Sequence, residues 1–257
     1  MKKKNKPERA AANYGNWVSK WMIFIPGAFA LVFIGLSWVS FWLLIPAAFF
    51  VAIYTYFAYA YNKFSPVGGD LQTRIRDLVL ERLEWDGQGR VLDIGCGNGP
   101  MVVKLARKYT AARVTGVDYW GGKWGFSQRA CECNAGIEGV DRRCEFIKAG
   151  AGSLPFEDGY FDAVVSNFVF HEVRDVKDRR EVIREALRVL KEGGSFAFHD
   201  LFLYRKLYGT TDDLLATIKS WGVGEVYFVN TSRTDFIPPL LRLPFMLGSI
   251  GIIYGKK

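Results

Sequence analysis

The longest feature of the hydrophobic pattern runs from Trp21 to Tyr61, a stretch with no Asp, Glu, Lys, Arg or His. A helix crosses a bilayer in ~20 apolar residues. This stretch therefore predicts two apolar helices, roughly 18–37 and 40–61, joined by a tight turn over Ser37, Trp38, Val39 and Ser40. Its halves echo each other, IPGAF at 25–29 against IPAAF at 45–49, which favours a matched pair over one long helix. Trp38 and Trp42 suit the aromatic belt of a membrane surface. The pair reads as a transmembrane hairpin or, alternatively, as a monotopic hairpin dipping into one leaflet.

Past Tyr61 the period changes. NKFSPVGGD is a linker, and LQTRIRDLVLERLEW places Leu71, Ile75, Leu78, Val79 and Leu83 at helical spacing with charges between them, an amphipathic helix. From Arg90 onward short apolar runs alternate with helical patterns. Strands are predicted near 90–94, 113–118, 144–148, 162–167, 195–200, 225–230 and 250–255, with helices near 99–109, 124–136, 177–191 and 211–221. Such alternation predicts an α/β fold, a mostly parallel sheet covered by helices, with ligands at the carboxyl ends of its strands. The chain divides into a basic amino terminus (1–20), the hairpin (21–61), a linker with its amphipathic helix (62–89) and the α/β domain (90–257).

The formal net charge of +8 raises nucleic acid as a partner, but five of those charges fall within residues 1–20. The remainder is too evenly balanced to form a basic face, so no nucleic acid is expected. Lysines and arginines flank both ends of the apolar pair, which by the positive-inside rule puts the amino terminus and the α/β domain together on the cytoplasmic side of a membrane. A secretory signal would have a shorter apolar core and a small-residue cleavage site. Cys96, Cys131, Cys133 and Cys144 contain no CxxC pair, and His171 and His199 stand at no zinc spacing from them, so reduced thiols and no metal are expected.

VLDIGCGNGP at 91–100 carries the chemistry: a strand runs into Asp93, and glycine then occupies 95, 97 and 99. Glycines let a turn take positive φ and let a ligand approach the backbone. A strand, a glycine turn and a helix amino terminus make a nucleotide site. Dinucleotide sites tend to G-x-G-x-x-G, whereas G-x-G-x-G behind a carboxylate suits a ligand with a cationic end, such as the amino acid part of S-adenosylmethionine (SAM). A second strand ends in Asp118, where a carboxylate can accept from both ribose hydroxyls.

With these residues the sequence resembles the class I SAM-dependent methyltransferases, in particular the group that includes the quinone and sterol methyltransferases. VLDIGCGNG looks like their first motif, VTGVDYW their second, AGAGSLPFEDGYFDAVVSN their third and fourth, and LRVLKEGGSFAFHD the helix, turn and fifth strand that follow. The resemblance implies a Rossmann-like sheet of seven strands, the last antiparallel. It also implies SAM as cofactor and S-adenosylhomocysteine (SAH) as product. Carried over residue by residue, Asp93 with Gly95, Cys96, Gly97, Asn98 and Gly99 would surround the methionine part. Asp118 would hold the ribose, and Tyr119 would pack on the adenine. Ala151 would offer its backbone NH to an adenine nitrogen, and Asn167 would face the transferred methyl. Gly150 departs from the pattern, standing where many relatives place an acid for the adenine amino group, so that contact must come from backbone, water or a neighbour.

Methyl transfer from a sulfonium needs alignment of the acceptor, exclusion of water and, for a protonated acceptor, a base. His171, just past the fourth strand, is the candidate base; packing or orienting the loop is its other reading. His199 and Asp200 would brace or line the pocket. Trp120, Trp124, Phe168 and Phe170 read as an apolar acceptor lining or as core. The hairpin points to a small, lipophilic acceptor such as a quinone, a lipid or a hydrophobic thiol or amine. A membrane-held SAM-binding scaffold without catalysis is the alternative reading, and the sequence does not address oligomeric state.

Overall fold

The computed structural model describes residues 11–121 and 125–257. Contacts divide the chain into two compact units: Asn16–Ile75, and the residues up to Gly15 taken together with Arg76–Lys257. The amino-terminal segment thus belongs with the α/β unit, although the hairpin separates the two in sequence.

In the first unit, α1 (Trp21–Leu36) and α2 (Leu44–Phe64) form an antiparallel pair joined through a short 3-10 turn at Phe41–Leu43. Phe50 stacks between Phe29 and Phe33, with ring centroids 5.1 and 5.6 Å apart. Gly27 lets the helices close on Tyr54, whose ring lies 3.1 Å from where a Cβ would stand. The outward faces expose Trp21, Phe24, Leu31, Ile45 and Phe49. Of the described helices, Phe41–Phe64 alone is long and apolar enough to cross a membrane. The 16 residues of α1 fall short of the ~20 that a perpendicular crossing takes. Buried Gln72 ties this unit together, donating to the Phe64 carbonyl and accepting from the Trp17 N–H. It lies in the first turn of α3 (Leu71–Arg82), within which the unit boundary falls.

The second unit runs β1 (Arg90–Ile94), α4 (Pro100–Lys108), β2 (Arg113–Asp118), α5 (Gln128–Ile137), β3 (Cys144–Lys148), β4 (Phe161–Asn167), α6 (Arg180–Arg188), β5 (Leu190–Asp200), α7 (Arg205–Tyr208), α8 (Thr211–Ser220), β6 (Glu225–Asn230) and β7 (Gly251–Lys256). The seven strands take the order β3-β2-β1-β4-β5-β7-β6. β1 to β5 are parallel, and β7 inserts antiparallel between β5 and β6. Strand alternation buries both faces. Leu92, Val164, Phe196, Phe198 and Ile253 pack on one side with Ile183, Leu187 and Ile218. Val91, Ala163, Val165, Ala197 and Ile252 pack on the other with Val79, Val102 and Leu105.

Six strand positions follow the sequence reading closely; β5, expected over 195–200, begins at Leu190, and two helices also differ. The helix expected over 177–191 ends at Arg188 because Leu190 already pairs with Phe161, ahead of a bulge that resets the register to Ala163–Ser195. The helix expected from 124 begins at Gln128, where the Ser127 hydroxyl accepts from the Ala130 N–H and caps it.

Candidate active site

The glycine loop is shaped by backbone contacts. The N–H groups of Gly95 and Cys96 both donate to the Val117 carbonyl at the end of β2 (2.7 and 3.0 Å). Gly95, Gly97 and Gly99 take φ of +74°, +59° and +81°, which only glycine adopts freely. A Cβ on Gly95 would also lie 2.0 Å from Val169, so the loop and the turn after β4 touch at bare backbone. Pro100 then opens α4, where its missing N–H costs nothing. Cys96 points into the core and is buried. Asn98 braces the next helix, its Oδ1 accepting from the Ser127 N–H at 3.1 Å.

Two carboxylates flank this loop. Asp93, 2% exposed, has its Oδ2 buried without a hydrogen-bond partner among the described residues. Burial pushes its carboxyl well above the usual range, with the Arg76 guanidinium opposing and the Asp118 charge reinforcing the shift. Asp118 is partly buried and accepts from the N–H of Gly97 (2.9 Å) and of Trp120 (2.8 Å). Burial raises its pKa, and the N–H groups of Trp120, Gly97 and Tyr119 limit the rise. Trp120, at φ +43°, folds back so that its indole donates to the Gly97 carbonyl at 2.8 Å.

At the neighbouring end of β3, Tyr119 is exposed and lies under the Lys148 ammonium, 5.7 Å from the ring centroid. Gly150 and Ala151 follow. The carboxylate of Asp175 stands 3.5 Å from where a Cβ on Gly150 would be and makes no hydrogen bond or ion pair among the described residues. An acid is therefore present beside Gly150, supplied by the segment after β4.

The β4–β5 edge is organised by the two histidines. His171 Nδ1 donates to Asp200 Oδ1 at 2.8 Å, and its Nε2 lies 3.6 Å from Glu172 Oε1. Asp200, fully buried, also accepts from the N–H of Val169 (3.1 Å), His171 (3.4 Å) and Leu201 (2.6 Å). Burial pulls the His171 pKa down, but the Asp200 and Glu172 carboxylates outweigh it and bring it up to about 10. His199 is opposite in kind. Its Nδ1 donates to Asn167 Oδ1 and its Nε2 accepts from the Thr231 hydroxyl, each at 3.0 Å, and burial drives its pKa down to about 3. Asn167 thus commits its amide oxygen to His199. Phe168, at φ +61°, sits edge-on to both imidazoles, 6.0 Å from His171 and 4.9 Å from His199.

The expected residues therefore gather along one sheet edge, Asp93, Asp118, Tyr119, Gly150 and Ala151 toward β3 and His171 toward β5. Phe170 is core, and Trp120 is partly buried against core. Trp124 lies outside the described residues. Sequence reasoning missed Asp175, the hydrogen bonds of Asn134 and the pairing of Asp200 with His171; periodicity places Asn134 on a helix and Asp200 at a strand end but does not show what their side chains reach. An unpaired buried acid oxygen next to a bare, positive-φ turn fits a nucleoside that carries an ammonium group.

A demethylmenaquinone methyltransferase from Thermotoga maritima is 32% identical over 182 residues, 66% of this chain and 72% of that one. The chain belongs to the class I SAM-dependent methyltransferases. SAM is the cofactor of this family, and a family model described as a methyltransferase domain matches residues 92–198. A sterol 4-C-methyltransferase of Caenorhabditis elegans is 30% identical over 142 residues, 52% of this chain and 38% of that one. The chain spans about half the length of several curated relatives it matches. Among solved structures, the [4+2]-cyclase SpnF superposes with a TM-score of 0.56 at 23% identity, over 74% of this chain and 83% of that one. At that identity the likeness concerns the fold.

Proposed function

We propose that the protein is a membrane-held methyltransferase that moves the methyl group of SAM to a small, lipophilic acceptor. The observation that carries this reading is the unpartnered Asp93 oxygen, buried beside the glycine loop. Asp93 takes the ammonium of the methionine part, and Asp118, with a lone pair left on each oxygen, takes the ribose hydroxyls. The order β1-β2-β3 then carries the base to the end of β3. There Tyr119 and Ala151 flank it, and the free Asp175 carboxylate accepts from the adenine amino group in place of the acid that position 150 lacks.

Bound SAM supplies an electrophilic methyl on a sulfonium. The protein aligns and desolvates the acceptor in front of it. His171 is the proposed catalytic side chain. At neutral pH its ring is an imidazolium, held in one orientation by Asp200, and its Nε2 side donates to an acceptor heteroatom. Service as a base requires the neutral ring, so transfer that depends on that base rises with pH through about 10.

The apolar hairpin and the quinone and sterol names of the relatives support a lipophilic acceptor. The hairpin holds the chain at the bilayer, with α2 long enough to cross it and the basic flanks favouring the cytoplasmic side for the α/β unit. Incubating the full chain in lipid nanodiscs with methyl-labelled SAM and a membrane lipid extract tests the reading. Label in an organic-soluble small product is expected. SAH binding without label transfer to any lipid or quinone fraction makes the protein a cofactor-binding scaffold instead.

A further inference from the structure

Residues Asn13–Gly15 pack on the α/β unit against the glycine loop, although the apolar unit begins at the very next residue. One side chain holds them there. Asn134, on α5 and 3% exposed, accepts from the Asn13 N–H through Oδ1 at 2.9 Å and donates from Nδ2 to the Asn13 carbonyl at 2.9 Å. Its second amide hydrogen goes to the Asn98 carbonyl, inside the glycine loop, also at 2.9 Å. A single buried amide therefore grips the segment by both of its main-chain groups, as a neighbouring strand would, and grips the loop with what remains.

Two further contacts fix the same segment. The Tyr14 hydroxyl donates to Glu138 at 3.1 Å, and the Tyr14 ring packs on the core beneath α5. Gly15, at φ +73°, lies so close to Phe126 that a Cβ would stand 2.9 Å from its ring. The other side of the contact is the loop itself, since Phe126 lies 3.4 Å from where a Cβ on Gly97 would be. Strap, aromatic ring and glycine loop are thus layered in that order.

We propose that Asn13–Gly15 is a strap belonging to the cofactor site, and that Asn134 is its positioning residue: the docked strap holds the glycine loop in its binding shape, and the bound cofactor holds the strap. This rests on the reading that the loop binds SAM. Gly95, Gly97 and Gly99 have no side chains with which to order their own backbone, so the order comes from neighbours, and Asn134 hydrogen-bonds both partners. When the strap leaves, the Asn134 amide loses the protein partners of its oxygen and of one hydrogen. Coupling between strap and ligand is reciprocal: whatever factor the docked strap adds to SAM or SAH affinity, the ligand adds to docking.

The test uses the full chain, SAH as ligand, and calorimetry with hydrogen exchange as readouts. Asn13→Pro removes the strap's donor at the surface without touching the core, and Asn134→Ala removes the grip from the other side. Each is expected to weaken SAH binding about 10-fold, and the double variant is expected to weaken it no further than Asn134→Ala alone, because that variant already releases both the strap and the Asn98 carbonyl. Saturating SAH is expected to slow exchange at the Tyr14 and Gly15 amides. Unchanged SAH affinity in Asn13→Pro, or exchange at those amides indifferent to SAH, overturns the strap. Failure of the unmodified chain to bind SAH overturns the cofactor reading itself.

Discussion

Asp93 in β1 and Asp200 at the end of β5 are equally buried carboxylates on one sheet edge, at 2% and 1% exposure, yet their surroundings are opposite. Asp200 is saturated: three N–H groups and the His171 imidazolium face it, and although burial pushes its carboxyl up, these partners hold it below the usual range. Asp93 has one oxygen with no partner and is pushed well above that range, chiefly by burial. A buried acid is tolerated only when its charge is met. Where the protein meets the charge itself, the acid orients a side chain. Where it does not, the acid waits for a ligand. In the proposed function, Asp200 accordingly positions His171 and Asp93 binds the cofactor.

Removing each carboxylate separates the two roles, and the largest effect is expected at Asp200. Asp200→Asn breaks a buried ion pair, a change that typically costs about 3–5 kcal/mol when one partner remains. Burial then acts on His171 with only Glu172 left to oppose it, so its pKa is expected to fall well below about 10. The chain has only two histidines, which makes their imidazole NMR signals simple to assign, and His199 serves as the internal control near pH 3. A raised folded-state pKa on a base means that the pair's contribution to stability is complete below 6.5 and is lost as the pH rises toward about 10. Urea unfolding across that window should show this loss in the unmodified protein and not in the variant. A His171 pKa that stays near 10 in Asp200→Asn breaks the comparison.

Asp93→Asn should behave in the reverse sense. Its carboxyl is disfavoured in the free fold, so stability without ligand is expected to hold or to rise. SAH affinity is expected to fall roughly 100-fold, the scale for losing one partner of a buried charge pair. An acid with a raised folded-state pKa makes the free protein lose stability as the pH climbs from the usual carboxyl range through the raised one. An incoming ammonium reverses that shift, so SAH binding by the unmodified protein should release protons on the acid side of neutrality. Calorimetry in buffers of differing ionisation enthalpy measures the release, and its absence would place the ammonium elsewhere.

Much of this edge was legible in the sequence because strands announce themselves by period. VLDIGCG and VTGVDYW place Asp93 and Asp118 at strand ends through alternation and glycine spacing alone, and the seven strand positions follow with errors at their ends. What was hidden is pairing between side chains far apart in the chain. His171 and Asp200 are 29 residues apart, and Asn13 and Asn134 are 121 apart. No periodicity links such pairs, so only the folded edge brings them together. Gly150 shows the same limit from the other direction. Its missing acid was plain in the sequence, and the carboxylate that stands beside it comes from Asp175, in a segment with no repeating pattern.

Asp175 extends the comparison to an exposed site and carries the smallest effect. Like Asp93 it has no hydrogen-bond partner among the described residues, but it is exposed, so substitution should leave stability unchanged. If it accepts from the adenine amino group, Asp175→Ala should weaken SAH binding about 10-fold, the scale of a charge-assisted hydrogen bond. S-inosylhomocysteine, which carries a carbonyl where SAH has the amine, separates this role from a general one. The unmodified protein should prefer SAH, Asp175→Ala should lose the preference, and Asp175→Asn, whose amide can donate to that carbonyl, should narrow it from the other side. Equal losses for both ligands in all variants would mean that Asp175 shapes the loop and does not read the base. The base would then owe its place at the end of β3 to Tyr119 and Ala151, and Asp93 would stand, among the described residues on this half of the edge, as the acid that waits for a charged partner.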